Sequence, residues 1–229
     1  MRQQIKNTNF TMKTLKLAAL SAFFGAFLLT ACTKDKPLTS ETTEVSTKTD
    51  GIAYTIDTLN SRVEWKGYKV LKSDQTSHFG TIKFESGQLT VHDGKLESGS
   101  FVADMNSLTS VDLKDDVENL NKLNGHLKSG DFFETEKFPT SSYEITKVTA
   151  QEQGDYNTLL DGNLTLKGIT KPVAFQANVS AKEGVVTIAT EPKDIKREDF
   201  GVKFQLPVAN GLIKDEVNLQ ILIKANEKK

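Results

Sequence analysis

The chain has 229 residues, of which 37% are hydrophobic and 26% charged, and its formal net charge is −1. These proportions are typical of a globular protein and exclude a collagen-like, low-complexity or multi-span membrane chain. Residues 1–31 contain four basic residues and no acidic one, so the rest of the chain has a net charge of −5. A mildly acidic protein lacks the basic surface that nucleic-acid binding requires, and we expect no nucleic-acid partner.

Residues 1–31 have the pattern of a secretory signal peptide. Two lysines precede the apolar run LAALSAFFGAFLLT, which is shorter than the roughly 20 residues that span a bilayer. The apolar run leads into LTAC at 29–32, which resembles a bacterial lipobox, and the last residue of this motif, Cys32, is the only cysteine of the chain. A lone thiol in an exported protein has no internal disulfide partner. We therefore expect lipid attachment at Cys32 and a lipoprotein anchored in the outer membrane, on its periplasmic face or at the cell surface.

Residues 32–50 are rich in Ser and Thr and offer almost nothing apolar to bury, which predicts a disordered tether. Residues 51–229 are predicted to form one all-β domain, because apolar and polar residues alternate in short runs such as Val173–Val179 and Val217–Ile223. Similar runs occur at Val63–Trp65, Thr81–Phe84, Leu89–Val91, Phe101–Met105, Tyr143–Ile145, Leu160–Leu166 and Val186–Ile188. Eight to ten such strands indicate a sandwich or a barrel, and alternation alone does not choose between them.

Turn signals separate these runs, and one stretch has a different period. The turns are expected at Ser86-Gly87, Asp93-Gly94, Gly154-Asp155, Glu183-Gly184 and Asn210-Gly211. A further tight turn that needs Gly168 is expected to join two strands in a hairpin. Between Leu113 and Leu127, apolar residues recur at spacings of three and four, which predicts one short amphipathic helix across an end or side of the sheet.

Few residues have the spacing of a catalytic or metal site. His78, His92 and His126 lie far apart without HxH or HExxH spacing, and the sequence contains no GxSxG, P-loop or GxGxxG motif. We therefore predict neither a metal nor an enzyme activity. A hydrolase remains an alternative that would need His126 beside a serine in a cleft.

Two local patches allow more than one interpretation. Phe132 and Phe133 are adjacent and are expected either to plug one end of the core or to contact a ligand. Arg197 is flanked by one lysine and two acidic residues, which suggests either a solvated salt-bridge cluster or a site for a phosphate or carboxylate head group.

Several motifs in a fixed order resemble the YceI-like family, which is described as binding polyisoprenoids or other lipids. They are YTID at 54–57, HLKS at 126–129, DFF at 131–133, FP at 138–139, GNLT at 162–165, GITKP at 168–172 and REDFG at 197–201. The chain departs from the family at Asn60-Ser61, where His-Ser is usual, and at Asn124-Gly125, where Arg-Asp is frequent. The resemblance implies a lipocalin-like antiparallel β-barrel of about eight strands around an apolar cavity.

On this basis we expect a membrane-tethered carrier that binds an isoprenoid, a quinone-like lipid or another long-chain ligand inside the barrel. The residues expected to line the cavity are Trp65, Phe84, Phe101, Phe132, Phe133, Phe175 and Leu219. Arg197 and His126 are expected near the polar end of the ligand, and no catalytic residue, metal or other cofactor is expected. The alternative is a structural or protein-interaction β-domain, whose barrel would be filled by side chains.

Overall fold

A computed structural model describes residues 39–46 and 50–228, which form an antiparallel β-barrel with one α-helix. Cys32 and the predicted signal peptide lie outside these residues. The elements are β1 (Ile52–Ile56), β2 (Arg62–Leu71), β3 (Asp74–His92), β4 (Lys95–Ser110), α1 (Val117–Lys128), β5 (Thr140–Ala150), β6 (Thr158–Leu166), β7 (Ile169–Lys182), β8 (Val185–Thr190), β9 (Lys193–Lys196), a 3₁₀ turn (Arg197–Phe200), β10 (Gly211–Ile213) and β11 (Glu216–Glu227).

Eight strands close the barrel in the order β2, β3, β4, β5, β6, β7, β8, β11 and back to β2. The closing pair sets Leu219 of β11 opposite Trp65 of β2. Strand β1 pairs with both β3 and β11 beyond the start of β2. Closure leaves no open sheet edge in these eight strands, and the predicted antiparallel barrel is confirmed.

Strand β3 is longer than the sequence pattern indicates, because one predicted turn does not exist. The runs Thr81–Phe84 and Leu89–Val91 belong to the single strand β3, so the prediction of a turn at Ser86-Gly87 is wrong. A Cβ at Gly87 would lie 3.0 Å from side-chain atoms of Ile56 and Phe101. Glycine is needed here for close packing on the inner face of a strand rather than for a change of direction.

Three hairpins turn on two residues that both have positive φ. They are Asp93-Gly94 (φ 48° and 73°), Lys167-Gly168 (49° and 73°) and Glu183-Gly184 (52° and 74°). This geometry is that of a type I′ turn, whose twist matches that of the flanking strands. The tight turn predicted at Gly168 is therefore present.

The helix starts at Val117 rather than at Leu113, because Asp116 caps it. The Asp116 carboxylate accepts a hydrogen bond from the Asn119 backbone N–H at 3.1 Å. Side chains of α1 bond to β4, where Asn124 Oδ1 accepts from the Ser110 N–H at 2.9 Å. The helix thus lies at the end of the barrel where β4 finishes, as the apolar spacing predicts.

The two ends of the barrel differ in packing. We call the end that carries α1, the β2–β3 turn and residues 201–213 the mouth, and the end that carries β1 and the β3–β4 and β7–β8 turns the floor. The floor half is filled by buried side chains, which include Tyr54, Ile56, Leu89, Val91, Leu96, Val186 and Ala225. The floor half of the barrel interior is therefore a core of packed side chains.

Residues 40–46, which the sequence analysis assigns to the tether, run along the outside of the barrel wall. Near the mouth, the Thr170 N–H donates to Ser40 Oγ at 3.1 Å. Farther down, Asn163 accepts from the Thr43 N–H at 3.0 Å and donates to the Thr43 carbonyl at 2.7 Å. Within the described residues, the contact between this segment and the barrel therefore starts near the mouth, before the expected start of the domain.

Two properties concern only this described part of the protein. It has no helix that is both long and apolar enough to span a membrane. It also has no group of three or more His, Cys, Asp or Glu side chains arranged to hold a metal ion.

Candidate ligand-binding cavity

The mouth half of the barrel encloses a cavity of about 310 Å³. Its wall consists of inward-facing side chains from the barrel strands, together with side chains of α1 and of residues 204–206. Most of these side chains are aliphatic or aromatic, and charged groups occur toward the mouth at Lys69 and Lys214. A space of this shape and polarity suits an apolar ligand.

The seven apolar residues singled out from the sequence all contribute to the cavity wall. They are Trp65, Phe84, Phe101, Phe132, Phe133, Phe175 and Leu219. Alternation along the strands identifies the five strand residues among them, because inward side chains repeat every second residue, whereas Phe132 and Phe133 lie between α1 and β5. Their contact with a ligand stays a prediction.

Tyr143 is a wall residue that was not identified from the sequence, and its hydroxyl is bonded to the barrel backbone. Its ring packs edge-on against Phe175 with centroids 5.4 Å apart. Its hydroxyl lies 3.0 Å from the carbonyl of Leu160 and 2.9 Å from that of Val173. Burial raises the pKa of Tyr143, and the Asp161 charge adds to the effect. The phenol is therefore a neutral part of the apolar wall.

An aromatic cluster covers part of the mouth. The His126 ring meets Phe132 and Phe204 edge-on, with centroids 5.0 and 4.7 Å away, and the two phenylalanine rings lie 5.3 Å apart. Phe132 is buried and lines the cavity, so it both closes the mouth and faces the interior. Phe204 was not found from the sequence because its segment has no strand periodicity.

His126 is held in a way that does not suit a hydrolase. Its Nε2 lies 3.0 Å from Asp131 Oδ2. The neighbouring Ser129 donates its hydroxyl hydrogen to the backbone carbonyl of His126 at 2.8 Å rather than to the ring. The histidine and serine are thus adjacent without the nucleophile–base hydrogen bond of a catalytic pair.

Arg197 lies in the cavity wall, where its guanidinium donates hydrogen bonds to backbone carbonyls. Its side chain is only 3% exposed, so the expectation of a solvated salt-bridge cluster is wrong. The guanidinium donates to the carbonyls of Lys214 (3.0 Å), Val202 (2.5 Å) and Ile213 (3.2 Å). Burial lowers the pKa of Arg197, whereas the carboxylates of Glu198 and Asp215 act in the opposite direction. Arg197 therefore fastens the mouth segments together, and its contact with a head group stays a prediction.

A second histidine at the mouth, His78, also has a carboxylate partner. His78 Nδ1 lies 2.8 Å from Asp112 Oδ2, and Asp112 Oδ1 accepts from the hydroxyl of Ser110 at 2.5 Å. Burial acts against ionisation of Asp112, but the hydrogen bonds from Ser110 and His78 leave its pKa below the usual value. These bonds tie the end of β4 to β3 beside the cavity entrance.

The outside of the mouth is unusually apolar. Six of the nine large apolar side chains that are exposed in residues 39–46 and 50–228 lie at this end: Leu71, Phe79, Val111, Val117, Val208 and Leu212. Apolar side chains concentrated at the entrance of an apolar cavity are typical of a binding region. The mouth is therefore the end through which we expect an apolar ligand to enter.

Comparison with known sequences shows which proteins this chain is similar to. A sequence model of the YceI-like domain matches residues 54–225. A UPF0312 protein of Pseudomonas aeruginosa is 37% identical over 97 residues, which cover 37% of this chain and 46% of that protein. A UPF0312 protein of Shewanella denitrificans is 28% identical over 158 residues, 66% of this chain and 81% of the other. The match thus spans about half of the Pseudomonas protein.

Two solved structures share the fold. BcnA of Burkholderia cenocepacia has a TM-score of 0.58 at 20% identity, over 75% of this chain and 99% of its own. A polyisoprenoid binding domain from Saccharophagus degradans, implicated in plant cell wall breakdown, has a TM-score of 0.53 at 16% identity, over 77% of this chain and 99% of its own. At these identities the likeness concerns the fold alone.

Proposed function

Since the chain belongs to the YceI-like family, we propose that it is a carrier that encloses the apolar tail of an isoprenoid or another long-chain lipid in its barrel. The observation that carries this proposal is the apolar cavity in the mouth half of a barrel whose floor half is packed. A purely structural β-domain has no need of such a cavity. The solved Saccharophagus domain, named for polyisoprenoid binding, supports the same ligand class.

The size of the cavity limits how much of a ligand it takes. Its volume of about 310 Å³ is roughly twice that of the engineered 150 Å³ cavity that accepts benzene. A tail that buries about 400 Å² of apolar surface gains roughly 10 kcal/mol. This gain is comparable with the association penalty of about 4–15 kcal/mol. We therefore propose that a tail segment of a few isoprene units is enclosed and that the remainder of a longer chain lies at the apolar mouth.

Each predicted site residue has a place in this proposal. Phe84, Phe101, Phe175 and Leu219 would contact the enclosed tail, together with Trp65. Phe132 and Phe133 would cover the tail at the mouth. His126 would contact the part of the ligand that leaves the barrel, and Arg197 would hold the surrounding segments in position.

We also propose that the carrier is a lipoprotein attached to the outer membrane through Cys32. The lipobox and the single cysteine support this attachment. The first barrel contact after Cys32 in the described residues is that of Ser40, at the mouth end of β7. A tether of this kind would join the barrel near its mouth, where a ligand taken from the membrane would enter.

The test is whether the cavity holds lipid, and Gly67 offers a way to block it. Gly67 shares the inward face of β2 with Trp65 and lines the cavity, and a Cβ there would meet no atom within 4 Å. Protein purified without detergent from its native host should yield a long-chain lipid by mass spectrometry of an organic extract. Gly67→Phe should remove that lipid while the circular dichroism spectrum is retained, and Gly67→Ala should keep it.

Folded wild-type protein that repeatedly yields no long-chain lipid would contradict the carrier proposal. Equal lipid yields from wild type and from folded Gly67→Phe would show that lipid binds outside the cavity. That result would favour the structural or protein-interaction alternative for the barrel interior.

A further inference from the structure

Three strands extend the barrel wall at the mouth, and the outer face of this extension is apolar. Strands β2 and β3 continue past the closing pair of β2 and β11, and β10 joins the free edge of β2. Because Trp65 lines the cavity, the alternate residues of β2 lie on the outer face. There Phe79 lies opposite Lys66, and Leu212 lies opposite Val70. Phe79 and Leu212 are 46% and 48% exposed.

A tyrosine between two lysines lies on the same extension. Lys66 Nζ is 5.3 Å and Lys214 Nζ is 5.4 Å from the centroid of the Tyr68 ring, distances at which a cation is attracted to an aromatic face. In the described part of the chain, neither lysine forms an ion pair with a carboxylate. We call the surface formed by these side chains the rim patch, and its members are Lys66, Tyr68, Val70, Phe79, Leu212 and Lys214.

The rim patch is locally basic, although the chain has a net charge of −1. Residues 66–72 and 211–214 contain four lysines and no acidic residue. The carboxylate beside Phe79 is that of Asp112, and it already has partners in His78 and Ser110. Aromatic and aliphatic side chains together with lysines are typical of surfaces that meet anionic lipids. The apolar groups enter the headgroup region there, and the long lysine side chains reach the phosphates.

We propose that the rim patch docks on an anionic phospholipid surface. In this contact Phe79 and Leu212 enter the headgroup region, and the lysine ammonium groups approach lipid phosphates. The patch borders the cavity, because Tyr68 and Lys214 also belong to the cavity wall. A lipid surface on the patch therefore lies beside the entrance of the barrel. The docking goes beyond the proposed carrier function, since it requires no ligand in the cavity.

The proposed attachment at Cys32 favours a membrane as the occupant of this patch. Ser40 contacts the barrel near the mouth, at Thr170. The chain from Cys32 to Ser40 spans at most about 29 Å, at 3.6 Å per residue. A tether of this length keeps the mouth close to the membrane and raises the effective concentration of the patch there, so a weak contact suffices. Salt screens the lysines of such a contact, and a salt wash should break it when the tether is absent.

Quenching of tryptophan fluorescence by brominated lipids tests the contact. The protein purified from its host is combined with vesicles of phosphatidylethanolamine and phosphatidylglycerol that carry bromine near the headgroup end of the acyl chains. Phe79→Trp adds a reporter to the patch, and the buried Trp65 of the wild type gives the background. The added fluorescence should fall about twofold, because apolar groups of interfacial segments enter a bilayer by about 5–10 Å.

Leu59→Trp is the matched control for position. Leu59 is also a large exposed apolar residue, but it lies in the loop between β1 and β2, toward the floor. Its reporter should not be quenched. Equal quenching of Phe79→Trp and Leu59→Trp would overturn the proposal, since the barrel would then have no preferred face. Absence of quenching at Phe79→Trp would also overturn it and would favour a protein partner or a second copy of the chain on the patch.

A pair of charge reversals tests the lysines. Lys66→Glu combined with Lys214→Glu should remove most of the quenching of Phe79→Trp, because the reversed charges repel phosphatidylglycerol. Lys95→Glu combined with Lys182→Glu is the control, since it makes the same change in net charge at exposed lysines of the floor and should leave the quenching unchanged. Equal loss in both double variants would contradict a contact between the patch lysines and lipid phosphates.

These outcomes are separate from those for the carrier function. Lipid extraction from wild type and Gly67→Phe measures what the cavity holds, whereas quenching measures what the outer face contacts. A protein without extractable lipid whose Phe79→Trp reporter is quenched would lose the carrier function and keep the docking surface.

Discussion

Tyr143 lies so close to Gly162 on the adjacent strand that the glycine position has no room for a side chain. A Cβ at Gly162 would lie 2.3 Å from Cζ of the tyrosine ring and 2.5 Å from its hydroxyl oxygen. If the ring moved aside, its hydroxyl would lose the backbone carbonyls of Leu160 and Val173, which share its one hydrogen. The contact joins β5 to β6 within the cavity wall.

Gly162→Ala should therefore lower the free energy of unfolding by about 1–3 kcal/mol, because a methyl group is forced into a packed site. Gly67→Ala is the control, since its Cβ meets no atom within 4 Å. That control should be neutral or stabilise the protein by up to about 1 kcal/mol, because alanine gives the unfolded chain less conformational entropy than glycine does. Denaturant unfolding measures both, and equal stabilities of the two variants would contradict the crowding argument.

The buried phenol of Tyr143 should make stability depend on alkaline pH. Burial raises its pKa in the folded state, whereas in the unfolded chain it ionises near pH 10. Its stabilising contribution is therefore complete below about pH 10 and is lost as the pH rises above this value. The wild type should lose up to about 1.4 kcal/mol more per pH unit than Tyr143→Phe. Parallel pH profiles of the two proteins above pH 10 would show that Tyr143 is not responsible.

The turn at Gly168 should tolerate a side chain less well than the equivalent turn at Gly184. Both glycines have positive φ, which disfavours alanine. A Cβ at Gly168 would also lie 2.8 Å from the Phe138 ring, whereas at Gly184 the nearest atom is 3.4 Å away. We expect a loss of about 1 kcal/mol for Gly184→Ala and about 2–3 kcal/mol for Gly168→Ala. Thermal unfolding should rank them in this order, and a reversed order would exclude the Phe138 contact as the cause.

Arg197→Lys should destabilise the mouth even though it keeps the charge. Lysine lacks the planar fork that reaches three carbonyls at once, so buried acceptors would lose their partners. We expect a loss of about 2–4 kcal/mol. Arg62→Lys is the control, because Arg62 pairs with Glu64 at the surface and should change stability by less than about 0.5 kcal/mol. If both substitutions have the same small effect, Arg197 does not hold the mouth together.

Cys32→Ser should release the protein from the membrane fraction. The reason is that acyl chains on this thiol are the proposed anchor, and several chains together hold a protein at a membrane stably. Fractionation of cells that express each form, followed by a salt wash, measures the effect. A serine variant that remains in the washed membranes would contradict attachment through Cys32.

The features that the sequence determined by itself are those set by neighbours in the chain. Alternation identified which faces of the strands point inward, including Trp65, Phe175 and Leu219, because side chains in a strand change face at every residue. Gly168 marked its hairpin because a type I′ turn needs positive φ. Apolar spacing located the helix, and Asp116 decided where it begins.

The tertiary structure decided whatever depends on contacts between distant segments. The sequence around Gly87 predicts a turn. In the fold, glycine is needed there because Ile56 and Phe101 from other strands pack against it and leave little room for a side chain. The residues beside Arg197 in the sequence indicate a solvated charge. In the fold, its guanidinium instead donates hydrogen bonds to backbone carbonyls of a distant segment, such as that of Lys214. The extent of the cavity was decided in the same way. The volume left empty in a barrel depends on the combined volume of side chains that meet from different strands. A local sequence pattern does not show which side chains meet.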